Sequence, residues 1–193
     1  MQIQKKGFTL LELLIVIGIL AILASATAVV LNPAELLRQA RDTQRLSDLD
    51  SVKSAVALYL TDQSTVTLTA GPFITAGAGG AGTCGLTAGN CTLRAVYTVD
   101  GNGWAAANIG IVSTGSPLPI LPRDPTNDAT YNYSWAGDNT NKTFELNTRL
   151  ESAKFKPMMT TDGGEDGDIA AECTTYLEMT CFYETGTDPG LNL

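Results

Sequence analysis

Lys5-Lys6-Gly7-Phe8-Thr9-Leu10-Leu11-Glu12 opens an apolar run that continues without a break through Leu31. From Phe8 to Leu31 there are 24 residues and one charge, Glu12; the others are apolar or small, or are Thr or Ser. About 20 helical residues span a bilayer core, so this stretch is long enough to cross one. Two lysines stand before it with no acid among them, which orients a spanning helix with the short leader in the cytoplasm and everything past Leu31 outside. A secretory signal fits less well. Its apolar region is only 7–15 residues long and ends at a small-x-small site, whereas here the run continues past Ala24-Ser25-Ala26.

Glu12 is the residue an ordinary anchor does not explain. An ionised carboxylate inside a spanning helix costs about 2.5–3.5 kcal/mol even on insertion scales. No basic residue follows it before Arg38. A cut between Gly7 and Phe8 would create an α-amino group four residues before Glu12, able to neutralise it in its own helix or in a neighbouring chain. The eight residues from Lys5 to Glu12 resemble the type III leader and cleavage site of type IV pilins and type II secretion pseudopilins. The resemblance implies cleavage after Gly7 by a membrane prepilin peptidase, N-methylation of Phe8, and a role for Glu12 in assembly. It also implies a helical homopolymer with other pilins and an inner-membrane assembly platform as partners. The protein would sit first in the inner membrane, then in an extracellular or periplasmic filament.

Outward from this stretch, Ala34 to Leu60 contains neither Gly nor Pro. Leu46, Leu49, Val52, Val56 and Tyr59 fall at spacings of three and four, one apolar stripe on a helix, with Arg41, Arg45, Asp48 and Lys53 expected largely elsewhere. A helix from Phe8 to Leu60 would be about 80 Å long. Pro33 interrupts it, because proline deletes a helix hydrogen bond and clashes with the preceding turn. It is read as a kink, or as a point that melts on polymerisation.

The chain therefore divides into a leader (1–7), an apolar helix (8–31), its amphipathic continuation (32–61) and a β-rich head (62–193). A Gly/Ala-rich stretch at 77–82 reads as a surface loop. Strand signals follow at Arg94–Val99, Ile109–Val112, Thr130–Trp135 and Thr143–Leu150, the last two flanking a turn at Ala136–Asn141. A long helix packed on a small antiparallel sheet is an α+β head, the pilin-like layout. The proline-rich segment Pro117–Pro125 with Tyr131 and Tyr133 loosely resembles the segment before the final strands of pseudopilins and minor pilins.

With 20 acidic and 12 basic residues the net charge is −8, and residues 157–193 hold eight acids and no base. Such a surface repels nucleic acid, so direct binding to it is not expected. There is no histidine, which removes the commonest general base and zinc ligand. Asp124 and Asp128 are the sort of acid pair that acid–base catalysis uses, but no nucleophile–base pattern accompanies them, so no enzyme is expected. Asp162, Glu165, Asp166 and Asp168 fall within seven glycine-rich residues, read either as a calcium loop or as a solvated acidic turn. Cys84, Cys91, Cys173 and Cys181 suit disulfides in an oxidising compartment, with Cys84–Cys91 and Cys173–Cys181 the closest spacings and buried thiols the alternative. Two functions stand: a filament subunit for adhesion, motility, DNA uptake or secretion, or an anchored binding module that never polymerises.

Overall fold

The computed structural model describes residues 7–76, 91–162 and 181–188. Helix α1 (Leu10–Leu31) is followed by α2 (Pro33–Asp62) and five short strands: β1 (Phe73–Ile74), β2 (Thr92–Leu93), β3 (Tyr133–Asp138), β4 (Thr143–Thr148) and β5 (Tyr183–Gly186). Two 3-10 turns, Ile109–Ile111 and Lys156–Thr160, complete the described elements. Two compact units result, residues 1–37 and 38–193.

In the first unit the helix stops where Asn32 takes a left-handed conformation, φ 38°. Asparagine tolerates this region because its short polar side chain bonds locally. Asn32 then starts the next helix, its backbone and side-chain oxygens both accepting from the Glu35 N–H. Pro33 occupies the first position of α2, where its missing N–H leaves nothing unpaired. The departure from helical geometry thus lies at Asn32, with Pro33 as the pre-set first residue after it.

In the second unit α2 lays Leu49, Val52, Ala55, Val56 and Tyr59 into the core, the face that the three-four spacing marks. Opposite stand Trp104, Tyr133, Trp135, Phe144 and Leu146, all buried. Trp135 stacks on Phe144 with ring centres 5.5 Å apart, and Trp104 meets Tyr133 at the same distance. Register explains the pairing of faces: Trp135 lies opposite Leu146 and Gly137 opposite Phe144, so the aromatic indole covers the glycine position and reaches Phe144 diagonally. Arg45, expected away from the apolar stripe, is instead fully buried, together with Asp42.

The sheet order is β2-β1-β3-β4-β5, and it is mixed: β1 runs parallel to β2 and antiparallel to β3, while β3–β4–β5 are antiparallel. The expected strand at Arg94–Val99 is irregular chain, since pairing ends at Leu93. Ile109–Ile111 forms a 3-10 turn instead of a strand, with Gly110 N bonded back to Val99 O. The hairpin turn begins later than expected, because β3 continues through Ala136, Gly137 and Asp138. Asp138 Oδ1 accepts from Thr140 N (2.6 Å) and Asn141 N (3.2 Å), and Lys142 takes φ 60° to bring β4 back. The layout is α+β and pilin-like.

Candidate functional site

The residues expected to mark cleavage and docking, Gly7, Phe8 and Glu12, lie at or just before the start of α1. Thr9 caps that helix, its Oγ1 accepting from the Glu12 N–H at 3.2 Å. Glu12 Oε2 in return accepts from Thr9 N (3.2 Å) and from Thr9 Oγ1 (3.1 Å). This reciprocal box satisfies two of the N–H groups that every helix start leaves unpaired. Glu12 therefore has a local use that its charge alone did not reveal, and its negative end also suits the positive pole of the helix dipole. Gly7 and Phe8 precede the cap in non-helical chain, exposed, with Phe8 at 82 %.

Beyond the cap the helix has no polar face. Leu10, Leu11, Leu13, Leu14, Ile15, Val16, Ile17, Ile19, Leu20, Ile22 and Leu23 are all exposed. Fully burying one such side chain contributes about 1.5–3 kcal/mol, so a bare surface of this size demands lipid or protein around it. The few polar groups are already paired within the helix. Ser25 Oγ donates to Ile22 O at 2.8 Å, and Thr27 Oγ1 to Ala24 O and Leu23 O. That arrangement keeps hydroxyls tolerable in hydrocarbon. Among the described residues no helix is long and apolar enough to cross a membrane. Described side chains in α1 run unbroken from Leu10 to Ser25, while its helical backbone continues to Leu31, about 33 Å in all.

In the head, Cys91 and Cys181 are both buried and neither is a free thiol. Cys91 directly precedes β2 and Cys181 stands two residues before β5, at opposite edges of the sheet. Four strand spacings separate those edges by about 19 Å, far beyond the roughly 7 Å Cα separation that a disulfide tolerates. The two cannot be bonded to each other. Cys84 and Cys173 lie outside the described residues.

Of the acidic loop only Asp162 is described; Glu165, Asp166 and Asp168 lie outside. Asp162 Oδ2 accepts from the Glu184 N–H at 2.9 Å, tying the start of that loop to β5. No group of three candidate metal ligands occurs among the described residues. Asp124 and Asp128 are engaged in separate hydrogen-bond networks. Asp128 Oδ1 caps a turn by accepting from Thr130 N and Tyr131 N, both at 2.8 Å. Asp124 belongs to a buried ionic cluster.

That cluster centres on Arg45, whose guanidinium uses all five N–H donors. Nε and Nη2 fork onto Asp124 at 2.6 and 3.1 Å. Nη1 reaches Asp42 at 2.9 Å and Glu151 at 2.7 Å, and Nη2 also reaches Thr126 Oγ1 at 3.1 Å. Asp42 accepts in addition from the Glu151 and Ser152 N–H groups, and Arg41 clamps Glu151 with two bonds of 2.6 Å. The Arg45 guanidinium lies 4.8 Å from the Tyr131 ring centre. Burial pushes the Glu151 carboxyl up, but hydrogen bonds from Arg41 and Arg45 outweigh it and hold the group below its usual range. Three chain segments, 41–45, 124–126 and 151–152, are thereby fastened together.

A family model, the prokaryotic N-terminal methylation motif, matches residues 4–28. This is the leader signature of type IV pilin and pseudopilin precursors. No curated protein and no solved structure matches the chain.

Proposed function

We propose that this chain, which carries the leader signature of type IV pilin and pseudopilin precursors, is a structural subunit of a pilus-like filament. Prepilin peptidase cuts after Gly7 and the new N-terminal Phe8 is methylated. Residues 8–31 hold the subunit in the inner membrane, head outward, until α1 leaves lipid for the packed core of a polymer. The observation that carries this reading is the pairing of the leader with a helix apolar on every face and capped by a single acid. Lipid and a bundle of identical helices are the two environments that bury such a surface. Glu12 then serves twice, closing its own N-cap and offering a charge to the Phe8 α-amino group of a neighbour. In this reading Cys84–Cys91 and Cys173–Cys181 staple the head, and the loop from Asp162 to Asp168 is its site for calcium.

Intact mass and N-terminal sequencing of the protein recovered from the cell envelope test the proposal. The expected result is a chain beginning at Phe8 and heavier by one methyl group. A chain still beginning at Met1 would overturn it and favour an anchored binding module that does not polymerise.

A further inference from the structure

The Arg45 cluster sorts charge by direction. The carboxylates of Asp42, Asp124 and Glu151 point inward and are buried. Cationic side chains in or beside the same three segments are at least partly exposed: Arg38, Arg123 and Lys154 are exposed, Arg41 and Lys156 partly so. Proximity follows from the bonds already described. Arg123 adjoins Asp124, and Lys156 N bonds back to Ser152 O, whose own N–H is held by Asp42 at 2.7 Å. Arg38 is near enough to act electrostatically on Tyr131, which stacks under Arg45. Lys154 is steadied over the Phe155 ring, 4.9 Å from its centre, and Phe155 and Met158 pack, partly buried, against Leu150, Met159 and Cys181. Among the described residues, acids at least partly exposed in or beside these segments include Glu35, Asp48, Asp128 and Asp162. Asp48 is engaged by the Tyr133 hydroxyl and Asp128 by its own turn.

We infer that this rim, formed by Arg38, Arg41, Arg123, Lys154 and Lys156, rests on anionic lipid headgroups while the subunit waits in the membrane. The inference depends on the reading of residues 8–31 as the membrane anchor. Arg38 follows Leu31 by seven residues, which reach at most about 25 Å even fully extended. Arg38 is therefore tethered within that distance of the end of the anchor. A head of net negative charge is repelled by an anionic surface unless the side it presents is basic. Mixed cationic and aromatic side chains are the groups that settle at headgroup level. The competing partner is a second copy of the chain, whose residues 157–193 carry eight acids and no base.

The test uses the full chain reconstituted into vesicles of phosphatidylcholine alone, or of phosphatidylcholine and phosphatidylglycerol in equal parts. Lysines are labelled with an impermeant amine reagent and quantified by peptide mass, with Lys142 in the hairpin turn as the internal reference. Phosphatidylglycerol should lower labelling of Lys154 and Lys156 relative to Lys142 by about threefold or more. Salt at about 1 M should abolish the difference. Equal labelling in both vesicles overturns the inference. Protection that rises with protein density in phosphatidylcholine alone overturns it too, and assigns the rim to another copy. Failure of the chain to float with either vesicle would instead remove the membrane anchor itself.

Discussion

Arg45 and Asp124, 79 residues apart in the chain, meet through hydrogen bonds of 2.6 and 3.1 Å with both side chains fully buried. A buried ion pair is not by itself a source of stability, since desolvating both charges costs several kcal/mol. Its consequence is positional. With all five guanidinium donors used, α2, the end of the proline-rich stretch and the chain after β4 have one arrangement that leaves none of these charges unpaired.

Replacing Arg45 should therefore be severe. Arg45→Met leaves Asp42, Asp124 and Glu151 facing one another in the interior, and about 3–5 kcal/mol of stability should be lost. Arg41→Ala, at a side chain 35 % exposed, should cost about 1 kcal/mol or less. Urea unfolding of the full chain in detergent, followed by Trp104 and Trp135 fluorescence, reads both. Equal losses for the two variants would refute the central place of Arg45.

Acid should weaken the head. Glu151, Asp62 and Asp138 titrate below their ordinary values, Glu151 despite its burial and the two aspartates chiefly through hydrogen bonds from Ser113 and from Thr140 and Asn141. Asp100 is drawn down to about 2 by the Thr98 hydroxyl and Asn102. A depressed carboxylate stabilises the fold above its unfolded pKa and ceases to do so as pH falls through the folded value. Asp48 works in the opposite sense, because burial raises it and protonation then favours the folded state. Tm should be level above about pH 5 and fall below about pH 4. Asp48→Asn, which removes the opposing group, should make that fall steeper; an unchanged slope would discount the role given to Asp48.

The capping contact of Glu12 and its proposed role in assembly can be separated chemically. Glu12→Gln keeps an acceptor at the third helical position and so preserves the box with Thr9, while removing the charge. Glu12→Ala removes both and should also loosen the first turn by about 1 kcal/mol. If charge guides assembly, both variants are cleaved after Gly7 and neither forms filaments. Normal filaments from Glu12→Gln would leave the acid with its capping role alone. Gly7→Ala should leave the precursor uncut, as read by its mass.

Peptide mapping without reduction should yield Cys84–Cys91 and Cys173–Cys181. Each closes a short loop, and reduction should cost about 2–3 kcal/mol per bridge. A recovered Cys91–Cys181 peptide would contradict the strand order, which sets those residues at opposite sheet edges.

Local order made much of the protein legible in advance. The apolar run, the lysines before it and Glu12 are contiguous, and the stripe Leu49, Val52, Val56 and Tyr59 obeys the helical period that burial confirms. Extended backward at the same spacing, that stripe passes through Arg45 and Asp42, so their burial was written in the periodicity and obscured by their charge. Their partners were not. Asp124 and Glu151 are distant in sequence, and no short-range pattern distinguishes them from the other acids of a chain with net charge −8.

The sequence by itself determined where the chain is apolar enough to need lipid or a neighbouring helix, because that property depends only on consecutive side chains. Tertiary structure decided the mixed sheet, the 3-10 turn at Ile109–Ile111 and the fate of each charge. Strand pairing and ion pairing join residues tens of positions apart, and their free energy depends on whether each buried polar group finds its partner.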